Sequence, residues 1–195
     1  MRTLQHQLHN HVYRPYRPTI TWVYKTVHFT FCNETERPHY VQLPEGCVIH
    51  LQQDSSPEAG IHEIGHFLYD QLPELLQKQL ETKLIQMCSS VKDVTNFLTE
   101  CVCNKVSPAL YSTLIDAHRI LYHSTVTTGC WLGHDLDYGK ERPVYYATTE
   151  AWANACVHYI LRSEASVPTI MQYFFNTCKT CLAWLDKNKV PHRNK

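Results

Sequence analysis

The sequence predicts an α+β fold, in which a small N-terminal β-sheet packs on one helix and a mainly α-helical remainder follows. Three observations point there. Residues 19–32 and 47–51 are dominated by Thr, Ile, Val, Trp, Tyr and Phe, side chains that pack well on a pleated surface. Residues 56–70 then carry the start signals and apolar spacing of a helix. Beyond Pro73 the apolar residues recur at helical intervals almost to the end.

Taken in order, residues 1–18 form an irregular arm, because Pro15 and Pro18 are too close together for one continuous helix. Residues 19–32 read as one long strand or a bent pair, and residues 47–51 as a second, short strand. The intervening 33–46, with two prolines and several charges, reads as a loop. Ser55 is placed to cap the next helix, with Glu58 returning the bond and Pro57 in the first turn. Leu75, Leu76, Leu80 and Leu84 give residues 74–88 an apolar face. Helices are expected near 91–105, 108–122, 147–162 and 168–187. Residues 123–146 hold three glycines and Pro143 without a period and read as a long, functional loop. Residues 19–195 are therefore expected to make one domain behind the 1–18 arm.

Composition narrows the class of function. The 195 residues are 44% hydrophobic, enough for a substantial core without disulfides. Eighteen basic residues balance 18 acidic ones, so electrostatics favour neither a nucleic acid nor a membrane surface as partner. No apolar run has the length of a signal peptide or a spanning helix, which leads to the expectation of a soluble, cytoplasmic chain. The nine cysteines are read mainly as reduced, buried thiols. Cys178 with Cys181, and Cys101 with Cys103, are an alternative metal-binding set, without the glycine-rich knuckle that such zinc sites favour.

The sharpest motif is His62-Glu63-Ile64-Gly65-His66. Residues four apart share a helix face, so His62 and His66 can offer two imidazoles to one zinc ion, with Glu63 directed at a water on that ion. Zinc acidifies such a water and polarises a carbonyl, and a carboxylate takes the proton during attack. That assigns Glu63 as general base of a hydrolytic site. Gly65 removes a side chain where another backbone would approach, at a cost of about 1 kcal/mol in helix propensity. A third ligand is needed. A third His six residues after His66 is excluded by Leu72, and Asp70, one turn on, is reachable only along an undistorted helix. Glu150, early in a later helix with small neighbours, is the stronger candidate. Asn154, one turn beyond it, could accept the spare N–H of His62 or His66 and so fix its tautomer. In the long loop, His134 and Tyr138 are candidates for stabilising an oxyanion, with Tyr145 and Tyr146 competing for that role. The plain readings are histidines in an ordinary helix, an acidic residue favoured by a helix N-terminus, and solvated loop side chains.

The ordered set His62 to His66, Asp116, Gly133-His134 followed by Tyr138, and Glu150-Ala151-Trp152-Ala153-Asn154 resembles the zincin-like metallopeptidase domains of phage minor head proteins and related bacterial toxin modules. These are distant relatives of the anthrax lethal factor catalytic domain. The resemblance spans about residues 60–185. It implies a gluzincin-type site with His62, His66 and Glu150 as zinc ligands and Glu63 as base, and a peptide or protein as substrate. It also implies a phage-head or toxin-system partner, with a virion-associated location as an alternative to the cytoplasm. Tyr69 stands where that family often has an acidic residue, with Asp70 one position later. An extended peptide is expected along a sheet edge. The rival expectation is a non-catalytic structural or interaction protein that keeps the fold for assembly.

Overall fold

The computed structural model describes residues 8–33, 35–122, 141–161 and 166–191, the side chains of residues 108 and 109 excepted. Its elements are α1 (Arg17–Thr26), β1 (His28–Phe31), β2 (His39–Leu43), β3 (Gly46–Leu51), α2 (Pro57–Asp70) and α3 (Glu74–Ser89). Then come α4 (Val94–Cys103), α5 (Pro108–Tyr122), α6 (Pro143–Ile160) and α7 (Gln172–Asn188). The arrangement is the expected mixed α+β one, mostly helical with one small sheet.

The N-terminal third corrects two expectations. Residues 17–26 are a helix, not a strand, because Ile20 and Val23 recur on one turn and are fully buried, with Pro18 in the first turn. Packing of that stripe outweighs the β-preference of Thr, Ile, Val and Tyr. Only residues 28–31 extend into a strand. The second correction is β2, which lies inside the expected loop. Pro38 and Pro44 flank it, and a strand bracketed by prolines is tolerated at a sheet edge. A two-residue turn, Pro44-Glu45, then joins it to β3. Gly46 closes that turn at φ 144°, a conformation in which an L side chain is strained.

The sheet order is β1-β3-β2, with β1 parallel and β2 antiparallel to β3, so β2 is an edge strand. The register aligns Phe29, Ile49 and Tyr40 on one face. That face meets α2, where the Tyr40 ring stands edge-on to Phe67 at 6.2 Å. The opposite face carries His50 and His39, whose rings stack at 4.4 Å.

The described part of the arm, residues 8–18, is more regular than its prolines suggest. Residues 8–11 are helical, Leu8 and Val12 are buried, and the Tyr13 N–H donates to the Ile160 carbonyl at 2.7 Å. Leu8 lies over Gly60, where a Cβ would come within 2.9 Å of its Cδ2. At the start of α2 the cap is Ser56 rather than Ser55, its side chain accepting from the Ala59 N–H at 3.2 Å. Ser55 instead accepts from the Gln52 N–H at 2.8 Å. On α3, Leu80 and Leu84 are buried as expected, but Leu75 is exposed.

Helix α6 runs through the centre of the protein. It buries residues on nearly every side, from Ala147 to Ile160, and packs closely on both α2 and α5. It starts at Pro143 and so takes in the end of the expected loop. Among the described residues no helix is long and apolar enough to cross a membrane. The described cysteines are free thiols.

Candidate metal centre

The site is built where α2 crosses α6, and two contacts explain how closely they approach. A Cβ on Gly65 would lie 2.7 Å from the Ala153 Cα, so only glycine permits this separation. Alongside, the buried Trp152 indole N–H donates to the Gly65 carbonyl at 2.8 Å. Gly65 therefore meets another backbone, as its place inside the motif suggested, and that contact sets the spacing of the site.

On α2, His62 and His66 lie one turn apart and bring their Nε2 atoms within 3.2 Å. From α6, Glu150 presents Oε2 at 3.2 Å from His62 Nε2 and Oε1 at 3.6 Å from His66 Nε2. Zinc bonds of about 2.0–2.1 Å at tetrahedral angles hold ligand atoms about 3.3–3.4 Å apart. The three separations fall around that value, and these three residues are the group among the described ones able to hold a metal ion. The chemistry of the donors points the same way. Two imidazole nitrogens and a carboxylate facing one point repel unless a proton or a cation lies between them.

One turn beyond Glu150, the Asn154 side chain meets His62, with Oδ1 3.1 Å from Nδ1. An amide oxygen accepts, so Nδ1 carries the proton and Nε2 keeps its lone pair toward Glu150 and His66. Burial pushes the His62 pKa down, but the hydrogen bond and charge of Glu150, followed by the charge of Glu63, leave it raised overall. With Nδ1 already protonated in the neutral ring, the raised pKa favours a second proton on Nε2, the nitrogen that faces Glu150 and His66.

Glu63, beside the ligands but not one of them, is buried under the sheet edge and accepts a backbone hydrogen bond from Tyr40 on β2. Burial pushes its carboxyl up to about 7, against the pull of His62. A carboxylate poised near neutrality suits proton transfer at physiological pH. Asp116, on α5, also borders the site. Burial pushes it up to about 7, with the charge of Arg119 pulling against it, and its Oδ1 has no hydrogen-bond partner among the described residues.

Asp70 takes a different part from the ligand role weighed for it. It accepts the Tyr40 hydroxyl at 2.9 Å and is also hydrogen-bonded by Tyr145, so it ties β2 and the start of α6 to the end of α2. The Tyr145 hydroxyl is thus hydrogen-bonded to Asp70, and the Arg142 guanidinium lies 4.2 Å over its ring. Tyr69 is fully buried against Tyr145 and Trp152. His134 and Tyr138 lie outside the described residues. Cys156, Cys178 and Cys181 are buried near one another between α6 and α7, where burial raises all three thiols, and Cys101 is buried while Cys103 is exposed.

The Tyr40 N–H on Glu63 escaped the sequence reading because the strand carrying it did. Comparison of the chain with protein-family models, curated proteins and solved structures yields no match.

Proposed function

We propose that the protein is a zinc-dependent peptidase with a zincin-like fold, in which His62, His66 and Glu150 hold the ion and Glu63 is the general base. The observation that carries this reading is the convergence of Nε2, Nε2 and a carboxylate oxygen from two helices at 3.2, 3.2 and 3.6 Å, with a buried carboxyl next to them. A zinc ion bound there supplies Lewis acidity toward a carbonyl and acidifies water. The residues of the chain do the rest. Asn154 keeps the His62 proton on Nδ1. Glu63 takes the proton of the attacking water and returns it to the leaving amine, held in place by the Tyr40 N–H. The antiparallel edge strand β2, next to Glu63, supports an extended peptide as substrate, since no other described strand pairs with its outer side.

The test is Glu63→Gln. The expected variant binds one zinc per chain, as the wild type does, but loses cleavage of a quenched-fluorescent peptide library. Full activity in that variant refutes Glu63 as base. Absence of stoichiometric zinc from the wild type, with unfolding unaffected by chelator, refutes the metal centre and favours the non-catalytic assembly role.

A further inference from the structure

The face of the sheet turned away from α2 carries a row of side chains at one level across its three strands. The register sets Thr30 of β1 beside His50 of β3, and His50 opposite His39 of β2. The His50 and His39 rings stack at 4.4 Å with their planes 14° apart. Neighbouring strands lie about 4.7–4.9 Å apart, so a stack with this separation runs across the strands toward the β2 edge. His39 is its last rung. The Arg37 carbonyl accepts from His39 Nδ1 at 2.8 Å, which holds the plane of the ring. One face of that ring covers His50. The other has no ring contact among the described residues, and the side chain keeps part of its surface exposed.

What passes that last rung follows from the backbone. The Tyr40 N–H turns outward to Glu63, so the alternation of an antiparallel strand turns the backbone of Gln42 outward as well, while His39 and Val41 bond inward to β3. His39 is also near enough to Glu63 for its charge to act on that carboxyl. A peptide laid along this edge past Glu63 continues the pleat. One of its side chains then stands across from His39 on the same face, at the distance over which cross-strand pairs interact. The surroundings select the chemistry of that side chain. Val41, Leu43 and Val48 share the face with Thr30 and the histidines. Burial and the charge of His39 hold the His50 pKa below its ordinary value, against the pull of Glu36, so the inner ring of the stack stays neutral at pH 7. A carboxylate or an ammonium group finds no opposite charge in this row. A flat apolar ring continues the stack at the spacing that His39 already keeps from His50.

We propose that the outward face of His39 is a subsite for an aromatic side chain of the peptide substrate, which adds the next rung to the stack of His50 and His39. This rests on the peptidase reading for the identity of the ligand, but stacking on His39 can be measured without turnover.

Two measurements on the full, zinc-loaded chain test it. In the first, peptides carrying phenylalanine, tryptophan, arginine or cyclohexylalanine at each position around the cleaved bond are compared. Cyclohexylalanine has the bulk of phenylalanine without its flat π-face. At one position phenylalanine or tryptophan is expected to raise kcat/KM over cyclohexylalanine by about 2–10-fold, the range of a stacked aromatic pair beyond its buried area. His39→Val is expected to erase that difference, and His39→Phe, which restores a ring, to keep it. Equal rates for phenylalanine and cyclohexylalanine at every position overturn the proposal, as does a difference that survives in His39→Val. Arginine favoured over phenylalanine at that position overturns the aromatic assignment in favour of a cation drawn by Glu36. In the second, the Glu63→Gln variant is titrated with the phenylalanine and cyclohexylalanine peptides while the His39 and His50 ring signals are followed by NMR. Upfield ring-current shifts are expected from the phenylalanine peptide alone. No shift at saturating peptide, or equal shifts from both peptides, overturns the subsite. Such shifts without cleavage of any peptide by the wild type keep the subsite and remove the peptidase reading, so the two fail separately.

Discussion

Substituting Gly65 by alanine sets two effects of opposite sign against each other. On helix propensity alone, Gly→Ala in a helix interior stabilises by about 1 kcal/mol. The new Cβ, however, would lie 2.7 Å from the Ala153 Cα and 3.1 Å from its Cβ, whereas non-bonded carbons rest about 3.5–4.0 Å apart. The nearest atom belongs to backbone and has no rotamer through which to escape, so α2 and α6 must part by about 1 Å. Overpacking of this kind costs about 1–3 kcal/mol. The same displacement stretches the buried Trp152 N–H bond to the Gly65 carbonyl, now 2.8 Å, toward a loss of about 1–3 kcal/mol. The net expectation is destabilisation of about 1–5 kcal/mol, or about 2–4 °C in Tm for each kcal/mol in a chain of this size. Urea unfolding followed by circular dichroism measures it. Gly60→Ala is the control, because the Cβ added there meets only the tip of the Leu8 side chain, which can turn aside. A Gly65→Ala protein as stable as the wild type, or more so, would refute the claim that the helix contact requires glycine.

Asn154→Ala removes the acceptor of the His62 Nδ1 proton and is expected to weaken zinc binding about 10–100-fold, read by competition with a chromophoric chelator; unchanged affinity dismisses the tautomer lock. Tyr40→Phe deletes the 2.9 Å bond to Asp70 and should cost about 1 kcal/mol in urea unfolding. Ser56→Ala removes the α2 cap and should cost about 1 kcal/mol, and a stability equal to wild type would return the cap to another residue. The double variant Cys178→Ser with Cys181→Ser is expected to bind as much zinc as the wild type by elemental analysis, since both thiols are buried and neither belongs to the His62, His66 and Glu150 group. Loss of zinc there would relocate the metal to the thiols.

The parts of the fold that were legible in the sequence are those whose signals are local. The motif helix, its proline in the first turn and the i, i+4 spacing of His62 with His66 and of Glu150 with Asn154 all follow from one chain segment at a time. The misreadings arise where tertiary context decides. Residues 17–26 have β-favouring side chains, but the burial of Ile20 and Val23 on one face makes them a helix. Residues 39–43 become a strand only because β3 offers a partner, and the prolines at their flanks masked it. The hydrogen bond from Tyr40 to Glu63 was out of reach for the same reason. Asp70 shows a related difficulty: spacing alone allowed it a ligand role, and only the arrival of Tyr40 and Tyr145 gives its carboxylate hydrogen-bond partners.

Gly65 is the point at which local and tertiary information meet. A glycine in the middle of a capped helix is unfavourable by itself, so its presence marks a neighbour that needs the space. The Glu-Ala-Trp-Ala-Asn segment of α6 supplies the complementary signs: small residues at Ala151 and Ala153 for close approach, an indole at Trp152 able to bond a bared carbonyl, and polar groups at Glu150 and Asn154 one turn apart. Once Gly65 is opposite Ala153, the helical period carries His62 to Asn154 and Glu150. The convergence of His62, Glu150 and Asn154 is therefore a consequence of one contact, and a change that moved that contact would be expected to disturb all three together.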